Sequence, residues 1–320
     1  MTAASAPFPL PGPWGLGTAQ LGNLYRATTP ENAAWVVDAA WAAGVRWFDT
    51  APHYGLGLSE QRAGAALRGR PRDEFVLSTK VGRLLVPNPG HEGEQDASFA
   101  VPATTRREWD FSRDGVRRSI DESLARLGLD RIDVVYVHDP DDFGDQVLAE
   151  ALPALIELRG QGVVRAVGVG MNQSALPARF VAESDLDLVM LAGRYTLLEQ
   201  GALDDLLPLA LERGVGVVAA GAYNSGLLAR DRPAADARYD YAPAPAGAVA
   251  RAHRLADVCE AHGVPLPTAA LAFPLRHPAV VSVAVGCETP EQVTQTAERL
   301  ATPIPEGLWS DLAAEGLVRD

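Results

Sequence analysis

Four residues whose side chains could transfer a proton stand at related places in the sequence. Asp49, Lys80 and His138 each end or follow a short apolar segment, and Tyr54 lies shortly after Asp49. A tyrosine with its ordinary pKa of about 10 is a poor acid or base at neutral pH. A neighbouring ammonium group lowers that pKa by favouring the phenolate, and a carboxylate can hold the ammonium in place. The set therefore predicts that Tyr54 transfers the proton, that Lys80 tunes it, and that a neutral His138 orients the substrate oxygen.

Lys80 is the only lysine in the chain, although Lys and Arg together number 28. A guanidinium group stays protonated, whereas the pKa of a lysine can be tuned by its surroundings. This contrast favours a functional role for Lys80, with chance retention at an exposed strand end as the alternative. The four residues include no strong nucleophile and no metal triad. We therefore expect no metal site, and the electrons of the reaction must pass to a cofactor.

Short apolar segments provide the elements that would position these residues. The predicted strands cover 14–19, 45–48, 75–80, 131–137, 163–169, 186–191, 215–219 and 280–285, and the predicted helices cover 30–44, 59–67, 112–127, 146–159, 175–183, 203–211, 249–261, 267–275 and 290–300. Strands without alternation are typical of a parallel sheet buried on both faces. Eight βα units in one chain predict a (β/α)8 TIM barrel, whose active site lies at the C-terminal ends of the strands. An open doubly wound sheet is the alternative, but Gln20 stands where its glycine fingerprint needs a third glycine.

Composition limits the classes of function. The chain has 320 residues, 47% of them hydrophobic, and we expect one barrel domain over 1–320 with long irregular loops near 82–110 and 221–247. The formal net charge of −13 argues against binding to nucleic acid or to an anionic membrane surface. Two cysteines, Cys259 and Cys287, make no disulfide framework, which favours a reducing compartment. We expect a cytoplasmic monomer or small homo-oligomer with a small-molecule substrate.

Several motifs resemble those of the aldo-keto reductases. They are Gly15-Leu16-Gly17-Thr18, Phe48-Asp49-Thr50-Ala51-Pro52-His53-Tyr54-Gly55, Ser78-Thr79-Lys80, Val137-His138, Asn224-Ser225-Gly226-Leu227-Leu228 and Gly286 with Pro290-Glu291-Gln292-Val293. The resemblance implies a barrel in which Tyr54 is the general acid/base of a catalytic tetrad, with a nicotinamide cofactor across the rim. The tracts 168–173 and 191–198 resemble a branch of sugar 1-dehydrogenases of the L-fucose, D-threo-aldose and L-galactose type, with a pyridoxal 4-dehydrogenase close by.

The same resemblance implies which residues contact the ligands. The expected cofactor-binding residues are Gly17, Thr18, Asp49, Asn172, Tyr223, Gly286, Glu288, Gln292 and Gln295, and the expected substrate-binding residues are Gln20, His53, His138 and Arg194. The chain departs from many relatives at Ala192, where they have a glutamine, and at Ala220, where they often have an aromatic ring. Asn172 is then the candidate for the nicotinamide carboxamide or a helix cap, and Tyr223 either replaces the missing ring or packs the rim.

The segment after the last predicted strand bears on the choice of cofactor. Relatives commonly carry a Lys or Arg there for an adenosine 2′-phosphate, whereas 286–292 offers two carboxylates and no cation. A carboxylate such as Glu288 repels a phosphate but accepts hydrogen bonds from a ribose diol. The alternative is that Glu288 only favours the following helix N-terminus, with Arg276 or Arg299 reaching a phosphate. We expect NAD rather than NADP.

Three functions follow from these observations. The first is oxidation of the C1 hydroxyl of an aldose of the L-fucose, L-galactose or D-arabinose type to the lactone. The second is a pyridoxal 4-dehydrogenase or a general aldehyde/alcohol oxidoreductase. The third is a regulatory subunit that binds the cofactor without catalysis, which the intact tetrad argues against. Pocket shape separates the first two, and it depends on the two long loops.

Overall fold

Eight parallel strands close into a barrel in a computed structural model that describes residues 8–234, 236–240 and 242–319. The barrel strands are β1 (Trp14–Gly17), β2 (Trp47–Asp49), β3 (Val76–Val81), β6 (Val134–His138), β7 (Ala166–Met171), β8 (Leu188–Ala192), β9 (Gly216–Ala220) and β12 (Val280–Gly286). Their order around the barrel is β1-β12-β9-β8-β7-β6-β3-β2, so the first and last strands lie side by side. The predicted (β/α)8 barrel is confirmed.

Helices surround the barrel and bury its outer face. They are α1 (Pro30–Ala42), α2 (Leu58–Leu67), α3 (Arg113–Leu127), α4 (Gly144–Gln146), α5 (Leu152–Gly160), α6 (Ala175–Glu183), α7 (Leu206–Arg213), α8 (Ala246–Ala261), α9 (Leu266–Ala272), α10 (Pro290–Ala301) and α11 (Glu306–Ala314). Side chains cap several of them: the hydroxyl oxygens of Thr29, Ser112 and Thr289 accept hydrogen bonds from backbone N–H groups in the first turn. These caps explain why the helix starts were close to those predicted.

The prediction that 82–110 is irregular is wrong. This segment contains an antiparallel hairpin of β4 (Arg83–Pro87) and β5 (Thr105–Trp109), paired from Arg83 with Trp109 to Pro87 with Thr105. Its run of charged residues, Arg106-Arg107-Glu108, hides the alternation that normally marks a strand with one packed face. The loop near 221–247 likewise contains a two-residue ladder of β10 (Arg238–Tyr239) and β11 (Ala242–Pro243).

Smaller differences from the prediction have local causes. The helix predicted over 146–159 is interrupted by a π-helical turn, Val147–Ala151, between α4 and α5. Ser59 was expected to cap α2, but its hydroxyl bonds the side chains of Thr18 and Thr50 and the Thr18 carbonyl instead. Both cysteines are free and buried. Within the described ranges, no helix has the length and apolar character needed to cross a membrane.

Candidate active site

A cleft of about 1220 Å³ opens at the C-terminal ends of the barrel strands. Every residue predicted for the site lines it: Gly17, Thr18, Gln20, Asp49, His53, Tyr54, Lys80, His138, Asn172, Arg194, Tyr223, Gly286, Glu288, Gln292 and Gln295. The sequence motifs come together because parallel strands place all of their C-terminal ends on one rim. The ligand contacts and catalytic roles of these residues stay predictions.

A buried ion pair forms the floor of the cleft. Lys80 Nζ donates to Asp49 Oδ2 at 2.6 Å and to the Thr50 carbonyl oxygen at 2.9 Å. The other carboxylate oxygen, Asp49 Oδ1, accepts a hydrogen bond of 2.7 Å from Ser78 Oγ. Burial lowers the pKa of Lys80, but the charges of Asp49 and Tyr54 outweigh it and raise the pKa overall. Lys80 is therefore a fixed positive charge at neutral pH, not a retained surface lysine.

Tyr54 lies directly above this charge. Lys80 Nζ is 4.7 Å from the centroid of the Tyr54 ring. Burial raises the pKa of Tyr54, and the Lys80 ammonium opposes that shift. The net direction is upward, so Lys80 limits the rise that burial alone would cause.

Close backbone packing fixes the loop that carries Tyr54. Gly55, in the left-handed region at φ 63°, lies against Gly22 in the segment after β1. A Cβ added to Gly55 would stand 2.2 Å from the Gly22 carbonyl oxygen, and one added to Gly22 would stand 2.7 Å from the Tyr54 carbonyl carbon. Only glycine fits at both positions. This contact holds the phenol at a constant place over Lys80.

Two histidines stand beside Tyr54. The ring centroid of His138 is 5.9 Å from that of Tyr54 and 5.6 Å from that of His53. Burial, together with the positive charges of Arg83 and Lys80, lowers the pKa of His138 well below its usual range. Burial and the charge of Arg83 lower the pKa of His53 to about 2. Both imidazoles are neutral at pH 7, so each can donate one hydrogen bond and accept another.

The hairpin of β4 and β5 and the segment between its strands contribute residues in and beside the cleft that the sequence did not reveal. Phe99 is buried and packs edge-on against His53, with centroids 5.2 Å apart. Arg107 Nη2 donates to the His53 carbonyl oxygen at 3.0 Å, and Arg107 Nη1 pairs with Asp96 at 2.5 Å. Arg83 of β4 pairs with Asp139, next to His138. Weak alternation in 83–87 and 105–109 was the one available signal for this hairpin.

Next to the end of β2 that carries Asp49, the ends of β1 and β12 leave open backbone. Gly17 pairs with Gly286 in register, and the Gln20 carboxamide lies where a Cβ on Gly286 would stand, 2.3 Å away. Gln20 therefore contacts the expected cofactor side of the cleft. Gln292 Oε1 accepts the backbone N–H of Glu288 at 2.7 Å. Gln295 lines the cleft without a hydrogen-bond partner among the described residues.

Glu288 has a partner that the sequence could not show. Its carboxylate forms an ion pair with Arg26, which comes from the segment after β1. The helix N-terminus at Pro290 is capped by Thr289. Arg299 also lines the cleft, where its Nη1 donates to the Tyr223 hydroxyl at 3.1 Å, whereas Arg276 pairs with Glu306 away from the cleft.

The structure bears on the predictions for Asn172 and Arg194. Asn172 does not cap α6, because the first-turn N–H of Leu176 donates to Gln173 Oε1 at 3.0 Å. The Asn172 side chain lines the cleft with no hydrogen-bond partner among the described residues. Arg194, expected to bind substrate, is engaged with both carboxylate oxygens of Asp240, at 3.0 and 2.8 Å. A substrate would have to share Arg194 with that carboxylate.

Across residues 8–234, 236–240 and 242–319, no cluster of three or more His, Cys, Asp or Glu side chains is arranged to hold a metal ion. The open lining of the Gly17 and Gly286 side, together with the free Asn172 carboxamide, fits a bound nicotinamide dinucleotide. The four residues of the predicted tetrad line the same cleft, where Asp49 pairs in register with Gly17.

Comparison with known proteins agrees with this geometry. Residues 13–314 match the model of the aldo/keto reductase family. The chain is 52% identical over 320 residues to a D-threo-aldose 1-dehydrogenase from Pseudomonas sp., covering 99% of this chain and 97% of that protein. It is 40% identical to a pyridoxal 4-dehydrogenase from Microbacterium luteolum, covering 95% of this chain and 94% of the relative. Among solved structures, the aldo-keto reductase AKR11C1 from Bacillus halodurans (holo form) superposes with a TM-score of 0.74 at 26% identity, covering 96% of this chain and 92% of that one.

Proposed function

Because this chain belongs to the aldo/keto reductase family, whose members are oxidoreductases that use nicotinamide cofactors, we propose that it oxidises the C1 hydroxyl of a cyclic aldose to a lactone. The observation that carries this proposal is the buried Asp49–Lys80 pair beneath Tyr54, because it places a fixed positive charge where a phenolate must form. The 52% identity to a D-threo-aldose 1-dehydrogenase supports an aldose substrate, and the proposal extends to sugars of the L-fucose, L-galactose or D-arabinose type.

Proton transfer is the part of this reaction that the chain's own residues perform. Tyr54 as phenolate accepts the proton of the C1 hydroxyl, and the Lys80 ammonium stabilises the phenolate beforehand. Neutral His138 donates a hydrogen bond to the same oxygen and holds it toward Tyr54. A bound nicotinamide supplies the acceptor for the hydride that leaves C1. The alcohol thus loses a proton and a hydride, and the ring is left as a lactone.

The preference for NAD over NADP rests on Glu288. Its carboxylate stands at the end of β12, on the cofactor side of the cleft, and pairs with Arg26. We propose that this carboxylate accepts hydrogen bonds from the adenosine ribose diol. An adenosine 2′-phosphate would compete with Glu288 for Arg26 and would be repelled by the carboxylate.

Pyridoxal is the second candidate substrate, because the chain is also 40% identical to a pyridoxal 4-dehydrogenase over nearly its full length. The tetrad would serve that reaction equally well, since an aldehyde or hemiacetal oxygen exchanges the same proton. The wall of the cleft on the expected substrate side carries two kinds of group. Its charged groups suit the several hydroxyls of a sugar, and the apolar ring of Phe99 suits the ring of pyridoxal.

Initial rates with NAD decide between these substrates. We expect turnover of L-fucose, L-galactose or D-arabinose with a higher kcat/KM than for pyridoxal, and a higher kcat/KM with NAD than with NADP. A higher kcat/KM for pyridoxal than for every aldose tested would transfer the assignment to the second candidate. Lack of turnover with all of them would contradict both.

A further inference from the structure

Asp139 is a charged cleft residue to which the reaction described above gives no role. It directly follows His138, the last residue of β6, and its side chain lines the cleft. Its backbone is in the left-handed region, at φ 41°, with the N–H donating to the Gly170 carbonyl oxygen at 2.9 Å. Asp tolerates this conformation better than most residues, but such strain is common at functional sites. The backbone turns Asp139 toward the cleft instead of continuing the strand.

A buried arginine holds one side of this carboxylate. Arg83 Nη2 donates to Asp139 Oδ2 at 2.5 Å, and the two side chains are 12% and 19% exposed. The Arg83 guanidinium also stacks on Trp109, 4.5 Å from the ring centroid. Burial raises the pKa of Asp139, and Arg83 opposes this shift. The guanidinium therefore fixes the position of the carboxylate and favours its charged form.

The other carboxylate oxygen is free. Asp139 Oδ1 has no hydrogen-bond partner in the described part of the chain, whereas Asp49 uses both of its oxygens. Asp139 Oδ2 is 3.6 Å from His138 Nε2, so the carboxylate stands beside the imidazole that orients the reacting oxygen. A free carboxylate oxygen beside His138 is a strong hydrogen-bond acceptor. There it can reach a substituent on the carbon next to C1, the carbon that is oxidised.

We propose that Asp139 Oδ1 accepts a hydrogen bond from the substrate hydroxyl on C2, the carbon next to the one oxidised. This inference rests on the proposed aldose oxidation and names a specificity residue for it. A site that pairs a fixed acceptor with a substrate hydroxyl rejects analogues that lack the hydroxyl, because the acceptor then loses water without gaining a partner. Asp139 would thus select polyhydroxy substrates over simple aldehydes and alcohols.

The test compares two sugars in the wild-type protein and in two variants. D-Arabinose and 2-deoxy-D-ribose differ only in the C2 hydroxyl. Asp139→Asn keeps the size of the side chain and tolerates the left-handed backbone, but the amide oxygen turns to Arg83 and an NH2 group faces the cleft. Asp139→Gly also tolerates that backbone and removes the group entirely. Asp141→Asn is the matched control, because this exposed carboxylate of the same loop accepts a hydrogen bond from Gln173 and, among the described residues, forms no ion pair with Arg83.

The expected result is a loss confined to one sugar. Both Asp139 variants should lower kcat/KM for D-arabinose by about 10- to 100-fold, the usual effect of losing a hydrogen bond to a charged group. The kcat/KM for 2-deoxy-D-ribose should not fall, and in Asp139→Gly it should rise, because the unpaired acceptor that penalises this sugar is gone. Asp141→Asn should change kcat/KM for neither sugar.

Equal losses on both sugars would overturn the proposal, because they would mean that Asp139 positions His138 and does not contact the C2 hydroxyl. Unchanged rates on both sugars would overturn it as well. A wild-type protein that oxidises no aldose would instead refute the proposed function itself, and this inference with it. Measured aldose turnover therefore separates the two failures.

Discussion

Buried carboxylates pair with cations at both ends of the barrel, but with different cations. At the N-terminal ends of the strands, the fully buried Asp133 accepts Arg72 Nη2 at 2.5 Å and the Leu77 N–H at 2.9 Å. At the C-terminal ends, Asp49 pairs with Lys80 at 2.6 Å. Both pairs satisfy a buried charge. Only the second has a titratable phenol above it.

This difference indicates that the Asp133–Arg72 pair is structural. Asp187 repeats the pattern of Asp133 two strands further along: its Oδ2 accepts Arg159 Nη1 at 2.7 Å and the Val167 N–H at 2.8 Å. Such a carboxylate joins neighbouring strands, and its charge is paired with a planar guanidinium that stays protonated. The Lys80 ammonium is instead a point charge that can be shared with a phenolate. The sole lysine of the chain stands in a buried pair beside Tyr54, the residue that we propose transfers the proton.

Replacing Tyr54 with Phe should give the largest loss of kcat. Without such a loss, the Asp49–Lys80 pair would not differ in function from the Asp133–Arg72 pair. Positioned acid/base catalysis is typically worth about 10²–10⁴-fold, so kcat should fall by that amount while the Kd for NAD stays near wild type. Single-turnover rates and cofactor titration measure the two quantities. Tyr195→Phe, a buried tyrosine outside the cleft lining, is the matched control and should keep its kcat. A Tyr54 variant that retained more than about a tenth of the wild-type kcat would contradict the assigned role.

Replacing Asp133 with Asn should act on stability and not on chemistry. Breaking a buried ion pair costs about 3–5 kcal/mol, and the lower end applies here because the Asn oxygen can still accept the Leu77 N–H. The free energy of unfolding from a denaturant titration should fall accordingly, with kcat per folded molecule unchanged. Asp130→Asn, at an exposed carboxylate 3.9 Å from the same arginine, should have little effect. A reduced kcat in folded Asp133→Asn protein would show that the Asp133–Arg72 pair also supports catalysis.

A third ion pair, Arg26–Glu288, lies at the expected cofactor side of the cleft. Charge reversal at Glu288 should change the cofactor preference by a smaller factor than the changes above. Removing the carboxylate frees Arg26 and adds a second cation, so Glu288→Arg should raise kcat/KM with NADP relative to NAD by about tenfold, equivalent to 1.4 kcal/mol. Glu291→Arg makes the same charge change at an exposed position of the next helix and serves as control. An unchanged cofactor ratio in Glu288→Arg would mean that this residue does not face the ribose.

The sequence predicted the barrel and the tetrad for the same physical reason. Parallel strands bring their C-terminal ends to one rim, so Asp49, Lys80 and His138 meet there even if each strand boundary is wrong by a residue or two. Tyr54 follows because it lies shortly after Asp49 on the loop that leaves β2. These predictions depend on the order of strands and loops along the chain, not on contacts between loops.

Contacts between loops could not be predicted in this way. Arg26 and Glu288 are far apart in sequence, and nothing local indicates that their side chains meet. Arg83 reaches Asp139 only because β4 and β5 form a hairpin, and that hairpin lacks a clear hydrophobic alternation. The substrate side of the cleft therefore emerged from the structure, whereas its catalytic floor could be predicted from the sequence.

The central claim is that the Asp49–Lys80 pair tunes proton transfer by Tyr54. The pH dependence of kcat for aldose oxidation in Lys80→Met tests it most directly. Oxidation needs the phenolate, so the rate rises with pH through the pKa of Tyr54. Burial raises that pKa and Lys80 lowers it. Without Lys80 the pKa must rise further, and the rising limb of the profile should move to higher pH, whereas Asp133→Asn should leave it in place. A Lys80→Met enzyme with the wild-type profile would contradict the claim that the Asp49–Lys80 pair exists to tune Tyr54.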